Sequence, residues 1–197
     1  MTLARRGARI ALAVAIFTWL GPSMCADPSP IPPGVQLMLF SKIWMFDRSV
    51  PKNSTVVIAV LFQSSVRTSV EEKDRLLEAA RSEHANLTCV PVALDDPENI
   101  GTVLDHVNAT AFYLTEMRGI DLHRIIEASR ARRIKTITAN VEYLDEGVAI
   151  GLRVRNDKPD IVVNLAAARA EGSDLSAQLL RLVTVRGQGS QPEGGTK

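Results

Sequence analysis

The sequence predicts an α/β protein of three layers (α/β/α), with helices on both faces of a mostly parallel sheet and a C-terminal antiparallel hairpin followed by a helix. Three observations carry this. Residues 55–62 form an unbroken apolar, β-branched run of strand length, the composition of a strand covered on both faces. From there to residue 139, strand-like and helix-like stretches alternate at the spacing of right-handed βαβ crossovers. Beyond residue 147, Val148, Ile150, Leu152 and Val154 alternate with Ala149, Gly151, Arg153 and Arg155, the period of two expected of a strand with one buried face.

Taken in order, residues 1–26 read as a signal peptide. Arg5, Arg6 and Arg9 precede an apolar run over 10–20, and Gly21, Pro22 and a small-residue stretch ending in Cys25 and Ala26 follow. That run falls short of the ~20 residues a membrane-crossing helix needs, so no span is expected once the signal is removed. Pro28, Pro30, Pro32 and Pro33 keep 27–33 extended. A helix over 34–46 follows, apolar on most of its surface except at Gln36, Ser41 and Lys42, which suits a buried helix or a subunit contact. Beyond the strand at 55–62 comes a polar loop over 63–68. Ser69 and Glu72 have the spacing of a capping box, which predicts a helix over 69–84. Strands are expected over 87–94, 109–114 and 134–139, and helices over 97–107 and 120–132. Pro91 removes a ladder donor, so its strand belongs at an edge or carries a bulge. Residues 156–159 make the reversal of the hairpin, whose second limb holds Ile161, Val163 and Leu165 on one face. A short alanine-rich helix over 166–170 stops near Gly172, and Ser173 is placed to cap a last helix with Leu175, Leu179, Leu182 and Val183 on one stripe. Residues 187–197, rich in Gly, Gln, Ser and Pro, read as a disordered tail. That leaves 27–186 as a single domain.

With 46% hydrophobic and 5% aromatic residues and a formal charge of +1, the composition is that of a folded chain. Removing the signal takes away three arginines and no acid, so basic residues no longer outnumber acidic ones and the electrostatic footprint of nucleic-acid binding is missing. Cys89 then has no second cysteine to pair with, and its apolar neighbours suggest a buried thiol.

No catalytic, cofactor-binding or metal-ligating residues are expected. His84, His106 and His123 lack the i, i+4 pairing and converging partners of a zinc site. No glycine-rich phosphate loop follows the first strand, and no Gly-x-Ser-x-Gly elbow is present. Parallel α/β sheets bind ligands beyond the carboxyl ends of their strands, where this sequence places Ser64, Asp95, Asp96 and Glu116. Such a rim suits a cation or a polar ligand; the competing reading is that the two aspartates cap a helix. The cluster Arg124, Arg130, Arg132, Arg133 and Lys135 reads as a solvated face, with an acidic partner surface as the alternative.

The chain resembles a known family, loosely in the order of its elements over nearly all of 27–186 and specifically over its last quarter. Glu146-Gly-Val-Ala-Ile-Gly-Leu152, Lys158-Pro-Asp-Ile-Val-Val-Asn164 and Gly172-Ser-Asp-Leu-Ser-Ala-Gln-Leu-Leu-Arg-Leu182 are similar to the closing strands and final helix of the YfiR/HmsC family of bacterial periplasmic proteins. The resemblance implies an exported, often self-associating, non-enzymatic protein. Its best understood members inhibit a membrane-bound diguanylate cyclase by binding its periplasmic domain. Carried over, this implies a periplasmic regulator of cyclic-di-GMP signalling and biofilm formation that needs no cofactor, with a membrane sensor or cyclase as partner and a homodimer as a further assembly. The contact surface is then expected on the first helix, at Val35, Met38, Lys42 and Trp44, and on the final helix. The alternative is a periplasmic small-molecule binding protein that uses the strand-end rim. The chain departs from the family pattern at 41–48, where Ser-Lys-Ile-Trp-Met-Phe-Asp-Arg replaces an ending of the Lys-Phe-Val-x-Trp-Pro type, and in having Cys89 without the cysteines that family members pair.

Overall fold

Residues 31–52, 54–83 and 86–186 are described by the computed structural model; the expected signal peptide, most of the proline leader, Asn53, His84 and the expected tail lie outside the described residues. In chain order the elements are α1 (Pro33–Phe46), β1 (Val56–Phe62), α2 (Arg67–Glu83), β2 (Leu87–Ala93), α3 (Ile100–Asp105), β3 (Ala111–Leu114), α4 (Leu122–Arg132), β4 (Lys135–Thr138), α5 (Tyr143–Glu146), β5 (Ile150–Arg155), β6 (Lys158–Asn164), α6 (Leu165–Ala170), α7 (Ala177–Leu180) and β7 (Thr184–Arg186). The strands form one sheet in the order β2-β1-β3-β4-β5-β6-β7. Neighbours run parallel except β5 and β6, the expected hairpin.

Alternation along the strands sorts the core into two layers. Ile58, Val60, Ala111, Tyr113, Ile137, Ile150 and Leu152 face one side, where Leu37, Phe40, Ile43 and Trp44 of α1, Leu76 of α2, Ala167 and Ala168 of α6 and Leu179 of α7 meet them. Ala59, Leu61, Phe112 and Leu114 face the other, against Ile100 and Leu104 of α3 and Ile125 and Ile126 of α4. This is the three-layer arrangement that the apolar strands demand, since each must be covered twice.

Pro91 lies where its chemistry is harmless. β2 is an edge strand, and Asn86 O and Leu94 N, eight residues apart, both bond to β1 or its flanks. Even-numbered residues of β2 therefore face β1, and Pro91 turns its missing donor outward. The β5–β6 reversal is tighter than expected. Asn156 and Asp157, at φ 51° and 57°, form a two-residue turn, while Pro159 already pairs with Val154. Leu165 is not the end of the second limb: it opens α6, because the Asn164 side chain accepts from the Ala167 N–H at 3.0 Å as a helix cap.

Three other expectations fail for identifiable reasons. Ser69 does not cap α2, which starts at Arg67, its Val70 N–H already bonded to the Val66 carbonyl; the buried Ser69 hydroxyl is held by the end of β1 instead, accepting from the Gln63 N–H at 2.9 Å. The last helix does not begin at Ser173. Residues 173–175 are extended and tied to the end of α1: Asp174 N–H donates to Asp47 Oδ1 at 2.9 Å, Arg48 N–H donates to the Asp174 carbonyl, and Asp47 bridges Leu175. Ser176 caps the four-residue α7, and the chain then turns into β7, which the sequence reading missed, leaving Leu182 71% exposed. Finally, the basic cluster is a solvated face only in part: Arg130 and Arg133 are exposed as expected, and the other three members are engaged elsewhere. Arg124 donates to the carbonyls of Pro97 and Glu98, Arg132 donates to those of Leu104 and Val107 at the end of α3, and Lys135 is buried.

A buried acid ties the C-terminal segment to the middle of the sheet. Glu171, just beyond α6, accepts from the Thr136 N–H at 2.8 Å and shares a 2.5 Å bond with the Thr136 hydroxyl, which in turn accepts from the Ala149 N–H at 2.8 Å. Burial pushes its carboxyl up to about 7, against the opposing effect of those hydrogen bonds and of Arg130.

Candidate functional surfaces

The chain leaves β1 toward β2 on one side and reaches β3 on the other, so the switch in strand order falls between β1 and β3. Polar groups collect at their carboxyl ends, as the rule for such sheets requires. Gln63, at the end of β1, is buried and clamps Arg118 by its backbone: Gln63 Oε1 accepts from the Arg118 N–H at 2.6 Å and Nε2 donates to its carbonyl at 3.1 Å. Ser69 and Thr115 share a 2.6 Å hydrogen bond, and the Thr115 hydroxyl donates to the Leu61 carbonyl at 2.9 Å. The Tyr143 hydroxyl accepts from the Met117 N–H.

The four rim residues read from sequence do not converge. Ser64 and Asp95 come together, the Ser64 N–H donating to Asp95 Oδ1 at 2.6 Å. Asp96 instead accepts from the Glu98 N–H and the Asn99 amide, an Asx turn before α3 whose cap position is Asn99. Glu116 accepts from the Thr68 hydroxyl at 2.6 Å and from Arg118 at 2.8 and 3.0 Å, contacts that hold its carboxyl below the usual range. The rim groups are thus spent on closing loops. Among the described residues, no group of three or more His, Cys, Asp or Glu side chains is arranged to hold a metal ion.

Beneath this rim lies a network that the sequence reading missed, linking Gln36 of α1, Tyr113 of β3 and Glu72 of α2. Its signal was a glutamine early in a largely apolar helix and a tyrosine in an otherwise apolar strand, since a buried phenol needs a partner. Burial raises the Glu72 carboxyl and, with the neighbouring Glu72, the Tyr113 phenol. Cys89 also packs against the core, and burial pushes its thiol up to about 12, which keeps it protonated and unreactive.

The second candidate surface is the outer face of α1. Met38, Lys42 and Met45 are exposed, Met45 at 73%, and Val35 is partly buried against the core. Met38 and Met45 are seven residues apart and share a stripe with Lys42 between them. Trp44, which the sequence placed on this surface, is not there. It is 5% exposed and packs against Phe40, ring centroids 6.3 Å apart, because α1 buries the turn carrying Phe40, Ile43 and Trp44 against the sheet. Past the end of α1 the stripe runs into a groove of roughly 430 Å³ lined by Met45, Phe46, Val50 and Pro51, with Arg48 and Lys52 beside them. No helix among the described residues is long and apolar enough to cross a membrane.

Comparisons with known proteins agree with this architecture. A family model described as YfiR/HmsC-like matches residues 44–184. No curated protein sequence matches the chain. Similar solved structures include the ABC domain in complex with L-Trp from Streptococcus pneumonia (13% identity, TM-score 0.62, covering 79% of this chain and 62% of that one). Others are a conserved domain protein from Vibrio cholerae (13%, 0.59, 78% and 60%) and a ligand-free, open substrate binding protein with adhesive properties from Clostridium difficile (13%, 0.58, 77% and 58%). The chain spans about three fifths of the length of these structures, and at this identity the likeness is one of fold.

Proposed function

The chain belongs to the YfiR/HmsC-like family, and on that premise we propose that it is an exported, periplasmic, non-enzymatic regulator that acts by contact with the periplasmic domain of a membrane-bound sensor, a diguanylate cyclase being the expected kind. Through that contact it adjusts cyclic-di-GMP output and biofilm formation. The observation that supports this reading is the outer face of α1: two methionines and a lysine in solvent, on a helix whose other side is fixed in the core. Methionine suits a contact surface because its unbranched, polarizable side chain adapts to the shape it meets. A partner that binds this face in only one of its own conformations shifts toward that conformation by the difference in affinity.

A small-molecule role, which the names of the similar structures bring to mind, has less behind it. The strand-end groups that would meet a ligand already bond to one another. The contact reading is tested by titrating the protein against the isolated periplasmic domain of a diguanylate cyclase from the same organism. Met45→Glu is expected to weaken binding about tenfold or more, since burying a methionine contributes roughly 1.5–3 kcal/mol, while its melting temperature stays at the wild-type value. Unchanged affinity in Met38→Glu and Met45→Glu together would remove α1 from the interface.

A further inference from the structure

Gln36, Tyr113 and Glu72 meet between the sheet and the two long helices, and their protons can be counted. Gln36 Nε2 donates to the Ile31 carbonyl at 2.7 Å, and the Tyr113 phenol oxygen lies 2.8 Å from Gln36 Oε1 and 2.5 Å from Glu72 Oε1. The amide cannot be turned over, because that would set its oxygen against the Ile31 carbonyl oxygen. Gln36 Oε1 can only accept, so the single phenol proton goes to it. The short contact between Tyr113 and Glu72 then has to be made by a proton on the carboxyl. Burial of the carboxyl favours the neutral acid, and the Tyr113 hydroxyl and the Glu116 N–H beside it oppose that effect, while the Ala139 N–H approaches the phenol.

We propose that Glu72 is carried as the neutral acid and that its proton latches α1 to the sheet through Tyr113 and Gln36. Ionisation draws the Tyr113 proton toward Glu72 and leaves Gln36 Oε1 buried against a lone pair with no donor. α1 then loses its polar tie to β3 and keeps its apolar packing. The charged and titratable groups around Glu72 pull in opposite directions: the Glu116 carboxylate favours the neutral form, Arg75 one turn along α2 favours the ionised form, and Tyr143 and Tyr113 face it as neutral phenols, with Cys89 beside Tyr113. Rising pH is therefore the releasing direction. The latch lies one layer beneath the proposed contact face, yet it stands or falls on α1 alone, without any partner.

The test is amide hydrogen exchange of α1 as a function of pH, corrected for the intrinsic chemical rate, in a Glu171→Gln background that removes the other raised buried carboxyl. Protection of α1 is expected to fall about tenfold or more as pH rises through the titration of Glu72, that of α4 much less. Glu72→Gln, whose amide donates to Tyr113 at every pH, is expected to abolish the dependence, and Gln36→Leu to lower α1 protection at all pH values. In parallel, the infrared band of a protonated carboxyl should disappear in Glu72→Gln. A Glu72 found ionised over the whole pH range in which the protein is folded, or a Glu72→Gln protein with the wild-type pH dependence, overturns the proposal. If Glu72→Gln does not fold, the infrared titration of the Glu171→Gln protein decides it.

Discussion

Replacing Glu171 by glutamine should make the protein more stable at pH 8 and less sensitive to pH. Glu171 is fully buried, and its carboxyl sits at about 7 in the folded protein against an ordinary 4.5. Between those values the folded state holds a proton that the unfolded state has released. The associated stability is complete below about 4.5, falls as pH rises through about 7, and is gone above it. The gap of about 2.5 pH units, at about 1.36 kcal/mol each, corresponds to roughly 3 kcal/mol. For a domain of this size that is on the order of 6–12 °C in melting temperature. Glutamine resembles the neutral acid in shape and hydrogen bonding: its oxygen accepts from the Thr136 N–H, and its amide donates to the Thr136 hydroxyl. Urea or thermal unfolding at half-unit steps from pH 4.5 to 8.5 measures the effect, read as the difference between wild type and Glu171→Gln so that the contribution of Glu72 cancels. Parallel pH profiles for the two proteins, or a wild type that gains stability relative to the variant on going from pH 5 to pH 8, would refute the assignment of the buried charge.

The remaining predictions use the same geometry. Asp47→Ala removes a buried acceptor for the Ser49 N–H, the Ser49 hydroxyl and the Asp174 N–H, and is expected to destabilise by about 2–4 kcal/mol in urea unfolding, with faster exchange at residues 173–176. Gly151→Val places carbon atoms where Leu144 of α5 already lies, so it should cost about 1–3 kcal/mol or prevent folding; a wild-type melting temperature would show that α5 yields freely. Combined substitution of Asp95 and Asp96 by Asn and Glu116 by Gln is expected to leave regulation of cyclic-di-GMP in cells unchanged, and loss of that regulation with the fold intact would restore the strand-end rim as a working site.

Much of the fold was legible because strands covered on both faces have little freedom in composition. The run at 55–62 and its successors could be read as parallel strands, and Pro91 as an edge residue, from chemistry internal to each segment. Boundaries failed where a local signal was claimed by a distant group. Ser69 and Glu72 match a capping box, yet the serine is held by the Gln63 N–H and the glutamate by Tyr113. Likewise Ser173 and Asp174 look like a helix start, yet Asp47 and Arg48 bond their backbone into an extended bridge. Of the residues expected on a contact surface, Met38 and Lys42 are exposed and Val35 is partly buried, while Trp44 is buried, because an almost wholly apolar helix does not reveal which face the sheet will take.

What the sequence by itself determined, then, is the alternation of elements, the hairpin and the family, all of which depend on short periodic patterns. Only the tertiary structure decided which of the polar residues are spent on holding the fold and which are left in solvent. A hydrogen-bond partner is a neighbour in space, and nothing local in the sequence signals that Gln36 and Tyr113, 77 positions apart, or Asp47 and Asp174, 127 positions apart, will meet.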